Sequence, residues 1–431
     1  MVKKIILKFK TNSNLKTGSK YSLASTFLTF SNMFVGIVIM RWLNPYDLGL
    51  WNAVSIFTAY IPFFQLGIQN GLSLELPVLL GSGNDDYKKY ISMARWYSYA
   101  VSSLFVFFGV LVAGVLYFYN HDFLLLLGVL TIFLIAASVT LNLHLISTFR
   151  SSKSFDKLTN IYIIEGVVVL LSSFLIYKYQ YYGVLMFNLI IVIQHTILLY
   201  IYAPYKDIRP AYSKNFFKIL IKRGMIVMSF FQLRVLAQSL PKWIILSFGG
   251  VLKLGLFTPA LALKGMMNLL PAQINQFLQP QLGFKYGKDK KAATIWPYIR
   301  KMIIIYPLIA LPICIVILFT MPYIIENFFP KFAASIVSIK IMSVAFIFSS
   351  YGISHNFLYT LKAHKEAYTF LIFELISSFL FPMIVIYTTD FEILTSVSIG
   401  ILINYIVLYI YNYLLLKRVM FYPKYNNELD E

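Results

Sequence analysis

Apolar residues run along this chain in blocks of about twenty, each closed by charged or turn-forming residues. A helix of that length crosses a hydrocarbon core about 30 Å thick. Taken in order, the blocks predict spans at 21–42, 48–68, 96–119, 123–146, 161–179, 182–202, 224–248, 253–277, 302–325, 336–360, 368–388 and 393–416. A barrel strand needs only about ten alternating residues, whereas these blocks are long and continuous. The expected fold is therefore an all-α integral membrane protein of about twelve transmembrane helices.

Connections on one side are short, while those near 69–95, 203–223 and 281–301 are longer. The middle one carries Lys206, Arg209, Lys214, Lys218, Lys222 and Arg223 among Phe216, Phe217, Ile219 and Leu220. It reads as an interfacial amphipathic helix. The expected organisation is a six-helix bundle over 1–203, a cytoplasmic amphipathic linker over 204–223, and a second six-helix bundle with a short tail over 224–431.

Composition agrees, because 59% hydrophobic and 13% charged residues leave too little polar surface to coat a soluble body of 431 residues. With twelve spans and both termini in the cytoplasm, 29 of the 37 Lys and Arg fall on cytoplasmic segments, as the positive-inside rule requires. The net charge of +20 thus reports orientation; it is split over short segments, so a nucleic-acid partner is not expected. Lys3, Lys4, Lys8, Lys10, Lys16 and Lys20 precede an apolar run longer than a signal-peptide core, which reads as a retained first helix. The single cysteine, Cys314, excludes an intramolecular disulfide and a cysteine metal cluster. The 32 Tyr and 38 Phe suit lipid contact and interfacial belts.

Three landmarks recur in order. Asp47-Leu48-Gly49-Leu50-Trp51 returns as Lys253-Leu254-Gly255-Leu256-Phe257, offset by 206 residues. Pro77 with Gly83-Asn84-Asp85 returns as Pro280 with Gly287-Lys288-Asp289, and Arg150-Ser151-Ser152-Lys153 as Lys362-Ala363-His364-Lys365. Six spans separate the copies, so the halves share orientation and a pseudo-twofold along the membrane normal is expected.

At these landmarks the sequence resembles the polysaccharide transporters of the multidrug/oligosaccharidyl-lipid/polysaccharide exporter superfamily, the O-antigen and lipid-linked oligosaccharide flippases. The residues that carry the resemblance are Arg41-Trp42-Leu43-Asn44-Pro45-Tyr46-Asp47-Leu48-Gly49-Leu50-Trp51, Leu254-Gly255-Leu256-Phe257, and Leu270-Pro271 with Gln279-Pro280 and Tyr286-Gly287. The resemblance implies a flippase that moves undecaprenyl-pyrophosphate-linked repeat units across a bacterial inner membrane by alternating access, for surface polysaccharide such as O-antigen or capsule. It implies no cofactor and no catalytic residues. The implied partners are the lipid-linked oligosaccharide, membrane lipids and polysaccharide polymerase machinery.

The residues can be asked independently whether they suit such a substrate. An ionisable group at mid-bilayer costs roughly 2.5–3.5 kcal/mol. Arg234, Gln238 and Lys242 recur at intervals of four on span seven, and Lys264, Asn268 and Asn275 share a face of span eight. Neither span holds an Asp or Glu, so a cationic, water-filled cavity for pyrophosphate is expected, with Arg supplying a bidentate fork. The alternatives are that Lys242 snorkels to the outer interface and that Arg234 pairs with a remote carboxylate such as Glu374. The first bundle carries no mid-span charge, only Arg41 at its outer rim. Glu165 and Glu374 occupy corresponding places in the two halves, and are candidates for gating or ion coupling or else carboxylates near a helix N-terminus. His144 and His195 stand alone and read as hydrogen-bonded helix residues.

A nucleotide-driven pump is excluded by Gly283-Phe284-Lys285-Tyr286-Gly287-Lys288-Asp289, which has one spacer too few and Asp where magnesium needs Ser or Thr. The loops are too short and basic for a membrane polymerase or glycosyltransferase. A cation-coupled drug antiporter of the same superfamily is the closer rival, and it would hold buried carboxylates facing its cavity.

Overall fold

The computed structural model describes residues 13–119, 122–289, 291–354, 357–361 and 363–422. The lysines before residue 13, Lys362 and the tail from 423 lie outside them. Every element is helical. In order they are α1 (Ser13–Trp42), α2 (Pro45–Ser55), a 3-10 segment (Ile56–Gln65), α3 (Ile68–Ser82), α4 (Tyr87–Tyr119), α5 (Phe123–Ser151), α6 (Phe155–Ser172), α7 (Phe174–Ile201), α8 (Lys214–Leu256), α9 (Thr258–Asp289), α10 (Trp296–Phe328), α11 (Ile336–Phe346), α12 (Tyr351–Ser354), α13 (Phe357–Thr360), α14 (His364–Thr388) and α15 (Ile393–Met420).

Each of the twelve expected spans coincides with a helix or a broken helix, and the protein is an all-α integral membrane protein. Seven helices, α1, α4, α5, α7, α10, α14 and α15, are long and apolar enough to cross a membrane, α7 with a kink at Gln180, φ 53°. The others are interrupted or carry charge. Span two changes from α-helix to 3-10 helix and back, and Leu66 and Gly67 then adopt left-handed backbone at φ 47° and 75°. Span ten unwinds over 347–350 between α11 and α12. Helix α6 is apolar but contains Asp156, Lys157 and Glu165. The outward surfaces are oily, as at Phe118, 75% exposed, and Phe319, 78% exposed, which suits lipid rather than water.

The long inner loops are corrected by the structure. Helices α3 and α9 run through Ser82 and Asp289, so most of the first and part of the third expected loop are helical. The separate interfacial helix is also corrected. Tyr205–Ser213 is irregular, and 214–223 are the first turns of the 43-residue α8. The backbone breaks at Gly250, φ 74°, and the continuous part before it, about 54 Å long, still exceeds the hydrocarbon thickness. Its first turns do not lie on lipid: Leu220 is fully buried against Ile68, Leu72, Leu76 and Ile91.

The chain forms two compact units. The first takes residues up to Leu43 and Val54–Gln232; the second takes Asn44–Ala53 and the chain from Leu233. In the first, α1, α5, α6 and α7 bury Ala24, Leu145, Phe149, Leu158, Ile161 and Leu199 together. In the second, α14 packs on α15, and α15 on α11. Within this unit the two copies of the Leu-Gly-Leu motif meet. A Cβ on Gly255 would fall 1.7 Å from the Pro45 carbonyl oxygen, and one on Gly49 2.0 Å from that of Val251. Asn52 Nδ2 donates to Thr258 Oγ1 at 2.8 Å, across the same 206-residue offset. Equivalent residues that touch each other place a local twofold between them.

Candidate functional site

The buried charges of the second unit converge on the break in span ten. Unwinding over 347–350 puts Tyr351 and Gly352 beside α8, and a Cβ on Gly352 would lie 2.8 Å from Arg234 Nη2, so a larger residue there would push the guanidinium aside. From α14 comes Glu374, 2% exposed, within electrostatic reach of Arg234 and Lys264. Tyr351 Oη donates to Glu374 Oε1 at 3.3 Å, and its ring meets that of Tyr405 edge-on at 5.4 Å. Lys264, 8% exposed, donates to the Gln238 carbonyl at 3.5 Å.

Lys264, Glu374, Tyr351, Tyr405 and Gln238, with Pro241, Ser378 and Asn404, line a cavity of about 10 Å³, room for about one water. Asn404 Nδ2 donates to Ser378 Oγ at 3.0 Å. Lys242 is half-buried and is a like-charge neighbour of Lys264. Among the described residues, Lys264 and Glu374 line the cavity, with Arg234 within electrostatic reach of Glu374 and Lys242 of Lys264.

The structure thus brings together Arg234, Gln238, Lys242 and Lys264, and adds Glu374, the remote carboxylate raised above as Arg234's alternative partner. Asn275 is buried, and its Oδ1 has no hydrogen-bond partner among the described residues; Asn268 is half-buried on the same helix. Neither lines the small cavity. Arg41 belongs to the first unit, exposed in the last turn of α1.

Glu165 is also in the first unit, and here one expectation is corrected. His195 is not alone: its Nδ1 lies 2.6 Å from Glu165 Oε2. The first unit also holds buried charge, since Arg95 is 5% exposed and donates to the carbonyls of Tyr205 at 2.8 Å, Lys206 at 3.2 Å and Ile208. Arg95 falls at the edge of the expected 69–95 loop, yet it sits inside α4 and its guanidinium ties down the irregular 205–213 segment. His144 is buried and hydrogen-bonded to Gln69 Oε1 at 3.3 Å, as expected of it.

A twelve-span helical chain with an unwound span at a buried polar cluster has the architecture of membrane transporters whose sites use discontinuous helices. Comparison with solved structures agrees. A multidrug resistance MATE family transporter of the MOP superfamily matches in its inward-facing conformation with TM-score 0.72 and 14% identity, over 91% of this chain and 94% of that one. In its outward-facing conformation such a transporter matches with TM-score 0.65 and 13% identity, over 95% and 96%. A MOP superfamily transporter from Pyrococcus furiosus, described as having a binding pocket of reverse polarity that suggests a different function, matches with TM-score 0.55 and 13% identity, over 92% and 95%.

The fold is therefore that of the MOP superfamily. By sequence, residues 38–337 match the family described as polysaccharide biosynthesis protein, and the chain belongs to that family. No curated protein sequence matches it.

Proposed function

We propose that this protein is a flippase for polyprenyl-pyrophosphate-linked oligosaccharide, moving repeat units from the cytoplasmic to the outer leaflet of a bacterial inner membrane by alternating access of two six-helix lobes. The carrying observation is the gathering of three cations, buried Lys264 with half-buried Arg234 and Lys242, near buried Glu374. A desolvated cation excess is costly without an anionic guest, and pyrophosphate supplies one. Family membership points the same way, toward polysaccharide assembly. In this reading Glu374 is the resident counter-ion that holds Arg234 and Lys264 until the substrate phosphates replace it. The small cavity widens when the unwound segment moves, with Gln238, Asn268 and Asn275 as polar lining, Arg41 at the outer rim and both chain ends in the cytoplasm. The polymerase that consumes the product is the natural partner.

Glu374 is also the buried carboxylate that a cation-coupled antiporter would need, which keeps that second reading specific. Binding in nanodiscs separates the two. Undecaprenyl pyrophosphate should bind at least about 10-fold more tightly than undecaprenol. Arg234→Ala and Lys264→Ala should each weaken it by about 10- to 100-fold, the loss of one charge-assisted hydrogen bond. Preferential binding of tetraphenylphosphonium, abolished by Glu374→Gln, would replace the flippase reading with the antiporter.

A further inference from the structure

Where α14 begins and α15 ends, Lys365, Glu366 and Thr369 share a cavity of about 460 Å³ with Tyr411, Leu415 and Arg418, a size usual for small-ligand pockets. The α15 residues recur at intervals of four and three, which keeps them on one helical face. The cavity is amphipathic along its length. At one end the Tyr411 ring lies parallel to that of Phe370, 5.9 Å away at 4°, and 4.5 Å from that of Phe373, with Leu415 beside it on the lining. At the other end are exposed Lys365 and Arg418, in the first turn of α14 and the last turn of α15. Seven residues separate Tyr411 from Arg418, so the charged end is about 10 Å from the ring along α15.

Among the described residues, neither Lys365 nor Arg418 has an ion-pair partner. Half-buried Glu366 is the lining's one carboxylate, so two cations stand against a single anion. The spare positive charge matches one phosphodiester. A guanidinium forks onto phosphate oxygens, and an ammonium adds a point charge. The first unit supplies a contrast in a cavity of about 450 Å³ lined by Lys88, Lys89, Asp207 and Phe216. There Lys88 pairs with Asp85 at 3.5 Å and Lys89 with Asp86 at 2.8 Å. Both of its lysines are already matched, and Asp207 adds a further negative charge.

We propose that the cavity between α14 and α15 binds the headgroup of an anionic glycerophospholipid from the cytoplasmic leaflet. The phosphate lies between Arg418 and Lys365, and the glycerol and first methylenes lie against Tyr411 and Leu415. A free phosphate would leave that apolar end unfilled, whereas a lipid occupies both ends. Basic pockets between transmembrane helices on the cytoplasmic side suit anionic headgroups, and the orientation drawn from the basic connections puts this cavity on that side. The headgroup ties the start of α14 to the end of α15. Helix α14 also carries Glu374, nine residues beyond Lys365, so the lipid steadies the helix that bears the buried carboxylate. The site needs the membrane orientation but not the flippase reading, and its test involves no transport.

The test follows thermal melting of the full chain, delipidated in a neutral detergent, while lipid is titrated. Phosphatidylglycerol should raise the melting temperature by several degrees and saturate. Phosphatidylethanolamine with the same chains, and inorganic phosphate, should each act at least about 10-fold more weakly. Arg418→Gln and Lys365→Gln change exposed side chains, so without lipid both should melt as the natural chain does. With phosphatidylglycerol each should bind about 10-fold more weakly, the loss of a charge-assisted hydrogen bond, and Arg418→Lys should recover part of that loss. Lys89→Gln removes a surface charge that is already paired, and should change the affinity by less than about two-fold. Equal stabilisation by phosphatidylethanolamine, or the full shift from inorganic phosphate alone, would overturn the proposal. So would an equal fall in Lys89→Gln, which would reduce the effect to general surface charge. Affinity that survives in both Arg418→Gln and Lys365→Gln would place the lipid elsewhere and overturn it as well.

Discussion

Glu374 decides how the second unit tolerates its cations. Replacing it by Gln keeps the Tyr351 contact but removes the buried carboxylate that faces Arg234 and Lys264. Removing one partner of such a set costs about 3–5 kcal/mol, so Glu374→Gln should melt at a clearly lower temperature in detergent, and added pyrophosphate should recover much of the loss. Gly352→Ala is a finer probe. Its new methyl meets only the far end of the Arg234 side chain, so folding should survive while pyrophosphate affinity falls, as read by the same melting shift. In the first unit, Arg95→Ala strands the carbonyls of Tyr205, Lys206 and Ile208. At about 1–3 kcal/mol for an unsatisfied buried group, the 205–213 segment should become the first site cut in limited proteolysis. The polar stripes of spans seven and eight were legible in the sequence, because a charge inside an apolar block is conspicuous wherever it falls. Their convergence with Glu374 and the pairing of His195 with Glu165 were not, since each joins residues on separate spans and the packing of spans leaves no periodic trace.

At the scale of the element, glycines set how closely helices approach. Gly49 and Gly255 allow the α2 and α8 backbones to touch, and Gly67 and Gly224 do the same in the first unit, where a Cβ on Gly224 would fall 1.8 Å from the Gly67 carbonyl oxygen. The obstacle in each case is backbone, which cannot swing aside. Gly255→Ala and Gly224→Ala should each destabilise by about 1–3 kcal/mol, the usual penalty of overpacking, measured by thermal melting of the purified protein. The recurrence of the Leu-Gly-Leu motif was visible in the sequence; that its two copies meet each other became visible only in three dimensions. Span existence was likewise read from block length. The breaks at 56–65 and 347–350 escaped, because hydropathy is blind to backbone angles and both breaks are made of apolar and small residues.

For the whole molecule, the proposed flippase takes its orientation from the basic connections and its substrate from the cation cluster of the second unit. Orientation is checked by labelling: a cysteine at Arg209, in a Cys314→Ala background, should react with a membrane-impermeant maleimide only after the cytoplasmic face is opened. The account as a whole stands on transport. In proteoliposomes carrying fluorescent undecaprenyl-pyrophosphate oligosaccharide, the natural chain should flip the lipid, while Arg234→Ala and Lys264→Ala, inserted to matched amounts, should each lose about ten-fold or more in initial rate, the equivalent of about 1.4 kcal/mol or above. Flipping that persists at full rate in both variants would contradict the assignment of the pyrophosphate to this cluster of charges.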